Sequence, residues 1–81
     1  MRIDKFLKIS RLVKRRPVAK EMADQGRIKV NDKVVKSSYD VKIGDVIEVG
    51  YGSRQVKAKV CDIRETTKKA EASELYELIE W

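Results

Sequence analysis

Residues 1–32 read MRIDKFLKISRLVKRRPVAKEMADQGRIKVND, and the hydrophobic repeat changes once within them, at Gly26. Before Gly26 the apolar residues recur at helical spacing; after it Ile28 and Val30 alternate with Arg27 and Lys29. Stepping about 100° per residue from Asp4, Phe6, Ser10 and Val13 share one side, with Ile3 and Ile9 flanking. Asp4, Lys8, Arg11 and Arg15 fall opposite. This pattern predicts a first helix with one packed and one charged side, reaching a turn at Lys14-Arg15-Arg16. Asp4 stands four residues before Lys8, the favourable order for an ion pair along a helix. Pro17 suits the first position of a second helix that runs to about Gln25, with Val18, Ala19, Met22 and Ala23 at helical spacing. Gly26 is the stop, because glycine takes a left-handed conformation at little cost.

Beyond the helices the period stays at two. Asn31-Asp32 predicts a tight turn before Lys33-Val34-Val35-Lys36, Gly44-Asp45 a second turn, and Tyr51-Gly52-Ser53 a third. Val56, Ala58 and Val60 alternate with Lys57, Lys59 and Cys61, so Cys61 is expected as a small apolar residue inside a strand. Thr66-Thr67-Lys68-Lys69 reads as a connector. The last dozen residues suggest a short helix with Leu75, Leu78 and Ile79 on one side and a ridge of Glu71, Glu74, Glu77 and Glu80. The expected fold is α+β: two short N-terminal helices packed on a small antiparallel sheet of four to five strands, plus a short C-terminal helix. Residues 1–65 would form the main domain, and 66–81 a connector with an acidic helix.

At 81 residues, little core is left over to wall a catalytic cleft. There is no histidine and a single cysteine, which removes a Cys/His zinc site, an intrachain disulfide and the commonest general base near neutral pH. No catalytic residue, metal or cofactor is expected. No apolar stretch reaches even ten residues, so neither secretion nor a membrane span is expected, and the cytoplasm is the expected compartment.

The net charge of +6 divides unevenly. Residues 1–36 carry twelve Lys/Arg against four Asp/Glu, whereas residues 37–81 carry seven against nine. Arg2, Lys5, Lys8, Arg11, Lys14, Arg15, Arg16 and Lys20 crowd the first twenty positions with only Asp4 against them. A solvated helix face is the bland explanation. Three features favour a phosphate-binding shelf instead: few acidic partners, many planar guanidiniums, and Arg16 at a helix start. Tyr39, Tyr51, Tyr76 and Trp81 are scattered, with none interleaved among the cations, and Tyr39 and Tyr51 are expected to pack. The missing stacking platform points to folded RNA read by shape and phosphate position.

The order basic helix, turn, helix ending in glycine, followed by Gly26-Arg27-Ile28-Lys29-Val30-Asn31-Asp32 and Val41-Lys42-Ile43-Gly44-Asp45-Val46-Ile47, resembles the S4 RNA-binding domain family, whose module is the αL RNA-binding motif. The likeness is strong over residues 1 to about 50. Asp32 stands where that family often has glycine. Met1-Arg2-Ile3-Asp4-Lys5-Phe6-Leu7-Lys8 and the Arg15-Arg16-Pro17 junction resemble its stand-alone RqcP branch, related to the fifteen-kilodalton heat-shock protein.

The resemblance implies a factor on the large ribosomal subunit, set between ribosomal RNA and peptidyl-tRNA. There it would assist a partner factor that directs C-terminal alanine tailing of stalled chains. A general S4-type factor of ribosome assembly or recycling is the alternative. The resemblance further implies Arg2 and Arg16 as leading RNA contacts, Arg11, Lys14 and Arg15 in support, and Lys8, Lys20 and Lys29 at the periphery. The chain is expected to work as a monomer and to make or break no bond. An RNA-modifying enzyme would need a second domain, and a protein-docking role would fall to the acidic C-terminal ridge.

Overall fold

The computed structural model describes residues 1–65 and 68–80; the predicted Thr66-Thr67 connector and Trp81 lie outside them. Two α-helices come first, α1 (Ile3–Ile9) and α2 (Arg16–Asp24). They are followed by strands β1 (Ile28–Val30), β2 (Lys33–Val34), β3 (Val46–Tyr51) and β4 (Arg54–Val60). A 3-10 helix (Lys69–Leu75) leads into β5 (Tyr76–Glu80). The five strands form one antiparallel sheet in the order β2-β1-β3-β4-β5. The α+β architecture is thus as expected, with one correction. The tail is not an α-helix: β5 hydrogen-bonds to β4, and Leu75 is fully buried at its entrance. Spacing alone misleads here because Leu75, Leu78 and Ile79 fit a helix as well as a short strand, and pairing to the open edge of β4 decides between them.

Period-two alternation gives the sheet two unlike faces. Ile28, Val30, Ile47, Val49 and Val60 join Ile3, Phe6, Leu7, Ala19 and Met22 in one buried cluster. On the other face Lys29 stands opposite Glu48, Glu48 opposite Lys57, and Lys59 opposite Glu77, a set of cross-strand charge pairs. Cys61 is exposed just past β4, not packed in a strand as expected.

Both helices end on a residue with left-handed φ. Gly26 (φ 75°) closes α2 in a Schellman turn, with Gly26 N–H donating to the Ala23 carbonyl and Arg27 N–H to that of Met22. Arg11 (φ 64°) holds the same position after α1, its N–H bonded to the Lys8 carbonyl. Helix 1 therefore stops at Ile9, earlier than its periodicity predicts. Val13 N–H returns to the Leu7 carbonyl, Val13 is buried, and the Tyr51 hydroxyl donates to the Leu12 carbonyl. These tertiary contacts outweigh the helical preference of residues 10–13.

At its other end, α1 receives carbonyls from a distant loop. Ile3 N–H donates to the Tyr39 carbonyl at 2.8 Å and Asp4 N–H to that of Ser37 at 3.3 Å. The Met1 amine meets Asp40 at 2.6 Å. Its hydrogen bond, with that of Lys42, lowers the Asp40 carboxyl to about 2.

Asn31 (φ 51°) and Asp32 (φ 69°) make the two-residue β1–β2 turn, both left-handed as a type I′ turn requires. Asn31 also clasps β3, accepting from Val46 N–H through its side-chain oxygen at 3.1 Å. Among the described residues Asp32 has no such bond, and it keeps the steric cost of its Cβ. Asp32→Gly is expected to stabilise the fold by up to about 1 kcal/mol, raising the melting temperature by about 4–8 °C. A melting temperature unchanged or lowered in a calorimetric scan contradicts this account of the turn.

Candidate nucleic-acid interface

Arg2 immediately precedes α1 and Arg16 is the first residue of α2, so the two helix starts bring two guanidiniums together. Between them lies Asp4, whose side chain is only 4% exposed. Arg2 Nε and Nη2 donate to the two Asp4 carboxylate oxygens, each at 3.3 Å. Arg16 Nη2 sits 3.4 Å from Asp4 Oδ1, and the Lys5 backbone N–H donates to that oxygen at 2.8 Å. Asp4 is therefore not on a charged face paired with Lys8, as its spacing suggests. It is a buried clasp. The side chains of Arg2 and Arg16 nevertheless stay 51% and 46% exposed. The fork shape of arginine lets one edge hold Asp4 while another meets a phosphate.

The second group of cations surrounds the α1–α2 turn. Lys8, Arg11, Val13, Lys14 and Arg15 line one concavity. Lys20 follows Arg16 by one turn of α2 and is exposed. Among the described residues, Lys8, Arg11, Lys14, Arg15 and Lys20 pair with no carboxylate. Lys5 differs: its ammonium lies 2.5 Å from Glu65, whose carboxyl it holds below the ordinary range. Lys29 stands apart as well. It occupies the charge-paired outer face of the sheet, opposite Glu48, away from the helices.

The predicted acidic ridge dissolves in three dimensions. Glu71 and Glu74 converge on Arg64, at 3.7 and 3.2 Å, with Asp62 on the same guanidinium at 2.8 Å. Glu77 belongs to β5, opposite Lys59.

One feature is absent from the sequence reading. Tyr51, Arg54, Val56, Tyr76 and Leu78 lie on the core-facing side of β3, β4 and β5, and with Arg11 and Leu12 they line a groove. Tyr51 and Tyr76 both pack partly against the core. Burial raises the Tyr51 phenol, the neighbouring Tyr76 adds to that, and Arg54 opposes it, so Tyr51 keeps its donor proton at neutral pH. The turn expected at Tyr51-Gly52-Ser53 is confined to Gly52-Ser53, and Tyr51 instead ends β3 opposite Arg54; Tyr76 falls in the tail expected to be helical.

Among the described residues no cluster of His, Cys, Asp and Glu is arranged to hold a metal ion, and no helix is long and apolar enough to cross a membrane.

The helical pair, the hairpin and the doubly held Asp4 make up the part of the chain, residues 1–47, that matches the S4 domain family model, and the chain belongs to that family. Within it, the chain is similar over nearly its whole length to proteins named RQC P-site tRNA stabilizing factor. The one from Streptococcus pneumoniae is 51% identical across 98% of this chain and 90% of its own length. That of Bacillus subtilis is 52% identical across 98% and 92%. In the solved structures, heat shock protein 15 of Vibrio cholerae, described as trimeric, superposes with a TM-score of 0.89 at 29% identity, covering 96% of this chain and 80% of that one.

Proposed function

We propose that the chain is an RNA-binding factor of ribosome-associated quality control that joins the large ribosomal subunit and its peptidyl-tRNA. It assists C-terminal alanine tailing of stalled nascent chains by holding RNA, in concert with the tailing factor, and catalyses nothing itself. It works in the cytoplasm, as a monomer. The observation that carries this reading is the pair of half-exposed guanidiniums, Arg2 and Arg16, fixed on the buried Asp4. The names of the relatives, which mention a P-site tRNA, support the choice of RNA. Arg11, Lys14 and Arg15 extend the contact along the backbone, and Lys8 and Lys20 border it. Lys29 reaches RNA only if the RNA wraps to the outer sheet face.

Asp4→Ala separates positioning from simple attraction. It makes the protein more positive by one unit, so a purely Coulombic surface would bind RNA more tightly. Loss of the clasp instead releases both arginines into many rotamers, and affinity for large subunits is expected to fall about tenfold, the equivalent of about 1.4 kcal/mol. Sedimentation with purified subunits reads the difference; tighter binding refutes the clasp.

The wider proposal is tested by crosslinking in cells and mapping the attached RNA. Large-subunit ribosomal RNA and tRNA are expected, together with a slope of log affinity against log salt near about −4 for five or six phosphate contacts. Recovery of messenger RNA or DNA without ribosomal or transfer RNA overturns it.

A further inference from the structure

The α1 and α2 helices cover the core face of the sheet over Ile28, Val30, Ile47 and Val49 but stop short of the β3–β4 hairpin. The uncovered end is the groove of about 410 Å³ between Arg11 and Arg54, floored by Val56 and walled by Tyr51, Tyr76 and Leu78. Such a volume falls within the range of clefts that take small organic groups. Leu78 remains 44% exposed there. The groove is also fixed in shape. The Tyr51 ring is held at its far end by the hydroxyl bond to the Leu12 carbonyl, and at its backbone by pairing with Arg54.

Charge and continuity indicate the occupant. Both cations on the rim are arginines, and among the described residues no carboxylate lines the groove. Arg11 borders this groove and also the basic concavity of Lys8, Lys14 and Arg15. A backbone tracking along that concavity is led by Arg11 to an apolar, aromatic slot. Arg11 is presented there by a left-handed backbone conformation, sparsely populated for a residue with a side chain and frequent at binding sites. A flat ring with an attached phosphate fits these features; an acidic peptide would leave the tyrosine walls unused.

We propose that this groove receives one unstacked nucleotide of the bound RNA, its base against Tyr51 and Tyr76 and its phosphate between Arg11 and Arg54. This rests on the RNA-binding reading and adds to it a site for a single extrahelical base. Shape recognition of the paired backbone would then be joined by capture of a bulged or flipped base. Aromatic stacking supplies such capture without regard to base identity.

The test uses two RNA hairpins of equal length and charge, one fully paired and one carrying a single extrahelical 2-aminopurine. The intact protein is expected to bind the bulged hairpin about tenfold more tightly, near the low end of what one base–aromatic stack contributes. The 2-aminopurine fluorescence should be quenched on binding. Tyr76→Leu keeps apolar bulk at the start of β5, and Arg54→Ala alters an exposed residue at the hairpin end, so both variants should fold. Each should lose most of the tenfold preference and the quenching, while binding the paired hairpin as before. Equal binding of both hairpins by the intact protein, or variants that keep the preference, overturns the groove proposal and leaves the wider reading standing. Salt-sensitive binding to neither hairpin overturns both. If a protein segment occupies the groove instead, the two variants leave both hairpins unaffected, and the nucleotide proposal falls.

Discussion

Changing Arg2 and Arg16 together to alanine is expected to weaken binding to large subunits by about a hundredfold, on the basis of about 1.5 kcal/mol or more for each charge-assisted contact. The salt slope should become shallower by about 1.4–1.8, since two phosphate contacts are removed. The two effects have separate origins. The first measures lost hydrogen bonds, and the second counts released counterions, so agreement between them identifies phosphates as the targets. The double change also has a structural cost. Asp4 is 4% exposed, and without its two guanidiniums it keeps only the Lys5 N–H. A buried carboxylate stripped of its cations is strongly destabilising. The double variant should therefore melt well below the parent, and adding Asp4→Asn should recover much of the melting temperature without restoring affinity. Thermal unfolding and subunit sedimentation on the same three proteins check this. Recovery of binding in the triple variant would mean that the arginines act only on the fold.

Phe6→Ala has the largest expected effect on stability. Among the described residues Phe6 is the largest fully buried side chain, 1% exposed, and it packs from α1 into the cluster shared with the sheet. Removing its ring should cost about 3–5 kcal/mol, transfer and cavity terms together. Domains of this length have about 4–12 kcal/mol in all. The loss should appear as a fall of about 20 °C in melting temperature, with the RNA face lost at the same point because Asp4 shares the helix. A cost below about 1 kcal/mol would mean that α1 does not anchor the core.

The alternations around Ile28 and Val56 and the glycine at 26 make the helical pair and much of the sheet legible in the sequence, because burial on one face leaves a periodic mark. The site was legible as a list of cations and not as a geometry. Helical spacing puts Asp4 on a solvent face because angular position counts neighbours on one helix only. Its partners are Arg2, just before that helix, and Arg16, from the next. Arg11 fits helical periodicity, whereas the buried Val13 and the Tyr51 bond to Leu12 turn the chain early. Tyr76 and Leu78 fit a helix as well as a strand because five residues leave too few periods to distinguish two from 3.6. In each case one of the deciding contacts, Asp4 with Arg16, Leu12 with Tyr51 or β5 with β4, joins elements that local pattern treats separately.

The arginine at the end of α1 sets two selections against each other. Glycine at position 11 would relieve about 1 kcal/mol of backbone strain, so a screen for heat resistance alone should favour it. The same exchange deletes the one cation, among the described residues, that borders both the basic concavity and the tyrosine groove. Variants chosen for thermal tolerance and variants chosen for activity on ribosomes should diverge first at this position.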